Sequence, residues 1–338
     1  MNLNTLFQEA INRKASDIHL ATGNVPCLRI EGNLARLDMP ILGPEEFITL
    51  MEPAISVEQW ARINAGMAVE RTISQGERNF CLIAFRAADS GYAATFRILG
   101  AEVPDLEKIG EGAEDLMDRI VDTARGLVII AGATGSGKTT AAYSIVDRIN
   151  ASMPSRIFVV ESGPTYTFRS KMGLVTQLHV GADLDSYERA LEAAHHADPD
   201  VIAVDDIVNG EALRQIMILA ETGHLVVANM HADSVTDVLR RASEAAGGEA
   251  VALRRSLAQN LVVITTQRLF LREGGTGRVP AYEWLWATPA VKSAILHGDM
   301  ERIMDLQSTE PESRTLQKSL DDLIAAGKIT EEAASAFR

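Results

Sequence analysis

One stretch carries the most specific chemical signal in the chain. Gly132-Ala133-Thr134-Gly135-Ser136-Gly137-Lys138-Thr139 fits G-x-x-x-x-G-K-[ST]. Glycines so spaced let backbone N–H groups converge on a phosphate, and a helix opening directly behind them adds partial positive charge there. Lys138 has the type and position to reach the β and γ oxygens of ATP, and the Thr139 hydroxyl to hold Mg²⁺, with Thr140 next in line. A glycine-rich turn ahead of a helix would show the same letters, so the flanks matter. Leu127-Val128-Ile129-Ile130-Ala131 reads as a buried parallel strand, and Thr140 to Ile149 places apolar residues at helical spacing.

Phosphate chemistry in an open α/β sheet collects at the carboxyl ends of the strands, which directs the search for partners of Lys138. Asp198-Pro199-Asp200-Val201-Ile202-Ala203-Val204-Asp205-Asp206 is an apolar strand running into two carboxylates. Asp205 is assigned to the metal and Asp206 to the attacking water; two surface aspartates closing a strand into a turn is the alternative. Glu161, after Ile157-Phe158-Val159-Val160, is the other candidate to activate water. Thr222-Gly223-His224 to Asn229-Met230-His231 places a histidine at each end of a third strand. His231, at the carboxyl end, can sense a γ-phosphate by hydrogen bonding, whereas His224 reads as structural. His179, His195 and His196 read as ordinary surface or packing residues.

These residues need a scaffold. Strand signals at 157–160, 174–180, 201–204, 225–229 and 261–266 alternate with helical patterns at 184–197, 210–221, 234–245 and 249–259, as in a mostly parallel sheet. A hairpin, 268–272 with 279–286 across Glu273-Gly274-Gly275-Thr276-Gly277, precedes helices near 288–297, 313–325 and 330–337. Upstream, an amphipathic helix at 2–13 carries Leu3, Leu6, Phe7, Ala10 and Ile11 on one face. Strands follow at 17–20, 27–30 and 34–37, turning at Glu31-Gly32-Asn33, then helices at 44–52 and 56–65. Strands at 67–74, 79–87 and 92–99, broken at Gln75-Gly76 and Asp89-Ser90-Gly91, complete that part. The expected division is a first α/β domain at 1–100, a linker at 101–112, a nucleotide domain at 113–287 and a helical C-terminal region at 288–338.

Composition bounds the function classes. The 338 residues are 46% hydrophobic and 23% charged, with a net charge of −14, as in a soluble globular protein of two domains. Residues 1–110 hold 10 basic and 14 acidic side chains and the remainder 22 and 32, so neither part is a basic nucleic-acid module and no direct nucleic-acid binding is expected. Cys27 and Cys81 stand alone, without a zinc pattern or a disulfide framework. Residues 1–14 are too polar for a signal peptide and no apolar run reaches a membrane span, so a cytoplasmic protein, peripheral to the inner membrane through a partner, is expected.

Taken together, these blocks resemble the secretion ATPase superfamily and, within it, the PilT-like type IV pilus retraction ATPases. Ala15-Ser16-Asp17-Ile18-His19-Leu20, Arg125-Gly126-Leu127-Val128, Thr222-Gly223-His224-Leu225-Val226 and Thr288-Pro289-Ala290-Val291 carry the resemblance alongside the glycine loop. It implies a PAS-like N-terminal domain, a RecA-like P-loop NTPase domain, a flexible joint and a homohexameric ring, with ATP and Mg²⁺ bound between domains. By position, Gly132 to Thr139 would be the Walker A motif and Glu161 the catalytic glutamate of the Asp box. Asp205-Asp206 would end Walker B, and His224 with His231 would form the His box, placing both near nucleotide. Arg97 matches one of the arginines that reach the nucleotide, and Arg86 or Arg97 would act as an arginine finger.

The chain departs from the family pattern at several points. Family members read Ile-Glu-Asp-Pro where this chain has Val160-Glu161-Ser162-Gly163-Pro164, and Glu where it has Asp206. A carboxylate retracted by one methylene can cost on the order of 100-fold in rate. Cys81 replaces an arginine, and Ala290-Val291-Lys292-Ser293-Ala294-Ile295 replaces the retraction signature Ala-Ile-Arg-Asn-Leu-Ile; lysine cannot copy a bidentate arginine. The expectation is a hexameric ATP-hydrolysing motor acting on an inner-membrane pilus or secretion platform. The alternatives are a weakly active scaffold ring beside a paralogous ATPase, and a conjugative or type IVB secretion ATPase.

Overall fold

A computed structural model describes residues 2–337 except 31–32, 77, 89–90, 101, 110, 275–276 and 336, with Lys108 described by its backbone alone. The turns expected at Glu31-Gly32-Asn33 and Asp89-Ser90-Gly91 and the hairpin tip at Gly275-Thr276 lie partly or wholly outside those residues. Two compact units are present: Met1–Glu102 with Ser162–Thr167 and His179–Asp185, and Val103–Glu161 with Phe168–Leu178 and Ser186–Arg338.

The first unit opens with α1 (Leu3–Asn12), whose N-cap Asn2 accepts from the Thr5 N–H at 2.9 Å. Its buried face is Leu3, Leu6, Phe7 and Ala10, the stripe the spacing predicts. The strands β1 (Asp17–Ala21), β2 (Cys27–Ile30) and β3 (Asn33–Arg36) come next. Helices α2 (Pro44–Met51) and α3 (Val57–Asn64) follow, the latter held by a capping box between Ser56 and Gln59. The sheet closes with β4 (Val69–Gln75), β5 (Arg78–Arg86) and β6 (Tyr92–Ile98). It runs β3-β2-β1-β6-β5-β4, with each neighbouring pair antiparallel. Phe7 stacks on Phe80 with ring centroids 3.9 Å apart and meets Phe96 edge-on at 5.1 Å, which fastens α1 to the sheet.

The second unit begins with α4 (Leu106–Ile109), a turn of helix in the stretch expected to be linker, and α5 (Glu114–Val121). Then come β7 (Gly126–Ala131), α6 (Lys138–Ser152), β8 (Arg156–Glu161), β9 (Leu174–His179), α7 (Tyr187–His196) and β10 (Val201–Val204). After these follow α8 (Gly210–Glu221), β11 (Leu225–Met230), α9 (Val235–Ala246), α10 (Ala250–Asn260), β12 (Leu261–Leu271) and β13 (Arg278–Trp286). The chain finishes in α11 (Pro289–His297), α12 (Met300–Thr309), α13 (Leu316–Ala325) and α14 (Glu331–Ser335).

The sheet order is β13-β12-β7-β11-β10-β8-β9. β12, β7, β11, β10 and β8 pair in parallel, and β13 closes one side antiparallel. Every residue of β7, β10 and β11 is buried, as continuous apolar strands covered on both faces require. Two further features differ from the sequence expectation. β12 is one eleven-residue strand rather than two pieces, because β7 and β13 pair along it. α12 was not expected: it buries only Ile303, Leu306 and Gln307, too few apolar positions to show a helical stripe.

Candidate functional site

β7 delivers the chain to the glycine loop and α6 carries it away, which places the loop at the carboxyl edge of the parallel strands. Gly137 has φ 87°, and a Cβ there would lie 2.7 Å from Gln267 Nε2. A Cβ at Gly132 would lie 2.7 Å from the Gln267 carbonyl oxygen. Glycine is therefore required at both. Among the described residues no side chain caps α6, which suits its N-terminus to an anion.

Lys138 is the first residue of that helix and is buried, with Nζ 3.5 Å from the Ala133 carbonyl oxygen. Burial lowers its amine pKa, opposed by the charges of Asp206 and Asp205. Those two carboxylates follow β10, one strand beyond β11. Asp205 is fixed by its own N–H to the Val160 carbonyl at 3.0 Å and by the Tyr187 hydroxyl, which donates to Oδ1. Asp206 is half-buried: Oδ2 lies 3.7 Å from His231 Nε2, and Oδ1 has no hydrogen-bond partner among the described residues. Burial raises its carboxyl above the usual value, opposed by His231, Lys138 and the Ile207 N–H.

The structure thus brings Lys138, Thr139, Asp205, Asp206 and His231 to one edge. Glu161, at the end of β8, is fully buried. It accepts from the Tyr143 hydroxyl at 2.6 Å and from Gln177 Nε2 at 2.8 Å, so both its oxygens are engaged. Burial, and then the Glu161 charge, push the Tyr143 phenol well above its usual pKa, so Tyr143 stays a donor. His224 stands at the other end of β11, six residues and about 20 Å from the loop. Its Nδ1 lies 2.8 Å from the Leu219 carbonyl and 3.1 Å from Thr222 Oγ1. Its ring meets that of His195 edge-on at 5.5 Å. Arg86 and Arg97 belong to the first unit. There Arg97 Nε donates to Asp17 Oδ1 at 3.3 Å, across from Cys81 in the sheet, and Arg86 donates to the Asn64 carbonyl at 3.4 Å.

Sequence reasoning missed the amides and phenols that line this edge. Asn229 and Gln267 are buried beside the loop, each with an oxygen that has no partner among the described residues; Ser136 Oγ, in the loop itself, is a third such atom. An unmet buried polar atom costs about 1–3 kcal/mol, so their gathering around the glycine loop marks where a polar ligand fits. The available signal was a carboxamide inside an otherwise apolar strand, Val227-Ala228-Asn229-Met230.

A comparison with family profiles matches residues 1–334 to the family described as Type II/IV secretion system protein. The chain belongs to that family. It is 30% identical to the type IV pilus retraction ATPase PilT of Pseudomonas aeruginosa over 98% of this chain and 96% of that one. It is 27% identical to the type IV pilus ATPase PilU of the same organism over 99% and 88%. Its structure superposes on that of the pilus retraction motor PilT with bound ADP at a TM-score of 0.89, with 32% identity, covering 99% of this chain and 96% of that one. The expected secretion ATPase kinship, the α/β class with its antiparallel PAS-like sheet and parallel ATPase sheet, and the ATPase activity are borne out. No helix among the described residues is long and apolar enough to cross a membrane.

Proposed function

We propose that the protein is an ATP-hydrolysing motor that powers a type IV pilus, in the manner of retraction ATPases, or a related secretion machine. The convergence of Lys138, Asp205, Asp206 and His231 on an uncapped, glycine-lined helix start carries this reading. The donor set suits Mg²⁺. Among the described residues no cluster of His, Cys, Asp or Glu could hold a metal alone, and Mg²⁺ favours one or two protein oxygens supplemented by substrate phosphates. The Thr139 hydroxyl and Asp205 would hold the ion, which when bound neutralises charge on the β and γ oxygens.

Lys138 meets the same phosphate oxygens, and the loop from Gly132 to Thr140 surrounds them. Asp206, with one oxygen free, orients the water that attacks the γ-phosphorus, giving ADP and phosphate. His231 monitors the γ-phosphate through its proximity to Asp206. Glu161, with both oxygens engaged, holds Tyr143 and Gln177 in place, and we assign the water to Asp206 in preference to it. Arg86 and Arg97 are the proposed arginine fingers of a homohexameric, cytoplasmic ring in which turnover drives domain movement against an inner-membrane platform. Residues 1–100, 113–287 and 288–338 are its proposed domains. Phosphate release from the purified chain with Mg²⁺ and ATP tests this: turnover is expected, and Lys138→Ala is expected to abolish it. Undiminished release from that variant defeats the reading.

A slow nucleotide-binding ring beside a paralogous motor is a second reading, favoured by the engagement of Glu161 and the short reach of Asp206. Asp206→Glu distinguishes them, because a marked gain in turnover supports the slow ring and a loss supports the motor.

A further inference from the structure

Asn229 has no role in the assignments above. It is the one polar side chain of β11, whose other residues are Leu225, Val226, Val227, Ala228 and Met230, and it is fully buried. Nδ2 lies 3.5 Å from Thr139 Oγ1, at the long limit of a hydrogen bond, and Oδ1 has no partner among the described residues. Its backbone is fixed on both sides. Asn229 pairs in register with Ile130 of β7, and its carbonyl accepts the Ile207 N–H at 2.9 Å, directly after Asp206. The carboxamide is thus held by the sheet between the loop threonine and the turn that carries both aspartates.

We propose that Asn229 is a positioning residue that orients the Thr139 hydroxyl for the Mg²⁺-bound nucleotide; this rests on the nucleotide-binding reading above. A hydroxyl has one proton and two lone pairs. Donation from Nδ2 occupies one lone pair, which leaves the second for the cation and the proton for an acceptor. Oδ1 is a ready acceptor for a water accompanying the ion, which accounts for a buried oxygen without a protein donor. Partners behind a metal-ligating group typically change metal affinity 10- to 100-fold when removed.

Calorimetric titration of the full chain with ADP, once with Mg²⁺ and once with EDTA, tests the assignment. Asn229→Leu is expected to weaken ADP binding about tenfold with Mg²⁺ and less than about twofold with EDTA. In a Thr139→Ala background it is expected to cost under about twofold even with Mg²⁺, since the group it acts through is gone. Asn229→Thr, which retains a donor, is expected to recover most of the Mg²⁺-dependent affinity. If Asn229→Leu does not fold, Asn229→Ala carries the same comparison. Equal weakening with Mg²⁺ and EDTA, full additivity with Thr139→Ala, or no rescue by Thr would overturn the proposal. Absence of ADP binding by the unaltered chain would instead bring down the nucleotide reading itself, and this inference with it.

Discussion

The two ends of β11 each carry a histidine, and they differ in how completely the protein satisfies its own polar groups. At the His224 end the imidazole has the Leu219 carbonyl and Thr222 hydroxyl, and the backbone carbonyl accepts the Gly126 N–H at 3.0 Å. At the His231 end, Asp206 and Asn229 each have an oxygen with no partner among the described residues, and burial disfavours the charges of both Lys138 and Asp206. One edge is complete as framework. The other leaves acceptor oxygens for a water or cation and an uncapped helix start for an anion, which is how a binding edge differs from a structural one in the same sheet.

Asp206→Asn presses hardest on this contrast. It should lower the rate of phosphate release on the order of 100-fold, as loss of a positioned charge does, yet raise the melting temperature near pH 7. The sign follows from the raised carboxyl: its folded-state pKa lies above the ordinary 3.8. Its stabilising contribution is therefore full below 3.8 and lost as pH rises through the folded value. Thermal melts of the two proteins should differ near pH 7 and converge near pH 3. A variant less stable at neutral pH would contradict the burial argument.

Tyr143→Phe tests whether every group at the catalytic edge is open to ligand. It removes the phenol that donates to buried Glu161 alongside Gln177, and unfolding by denaturant should show a loss of about 2 kcal/mol. An unchanged midpoint would mean that Glu161 does not depend on Tyr143. The histidines give the direct comparison. His231→Ala should slow turnover about tenfold with stability intact. His224→Ala should leave turnover of the assembled protein intact while costing about 1 kcal/mol of stability. The reverse pattern would invert the assignment of the two edges, and would fit a His224 that serves a neighbouring subunit's nucleotide.

Much of the nucleotide edge was legible in the linear chain because a P-loop is a local device. Its glycines, lysine and threonine are contiguous, and the strand before and helix behind declare themselves by periodicity. The aspartate pair was legible for a similar reason, as an apolar run ending in charge. Glu161 was legible as a strand-end carboxylate, but not as a buried group shared by Tyr143, 18 positions earlier, and Gln177, 16 positions later. Asn229 and Gln267 escaped because their significance lies in lateral neighbours: β11 and β12 flank β7 in the sheet, although β11 begins 94 positions and β12 begins 130 positions after β7 ends at Ala131.

By itself, then, the order of residues determined where a phosphate would be gripped and which strands could end in acids, since those signals depend on neighbours along the chain. Tertiary structure alone decided which acid keeps a free oxygen, which histidine shares its edge with the lysine, and which amide stands behind the threonine. Strand order in a parallel sheet is set by crossovers and burial, and side chains brought together that way leave no mark on sequence spacing.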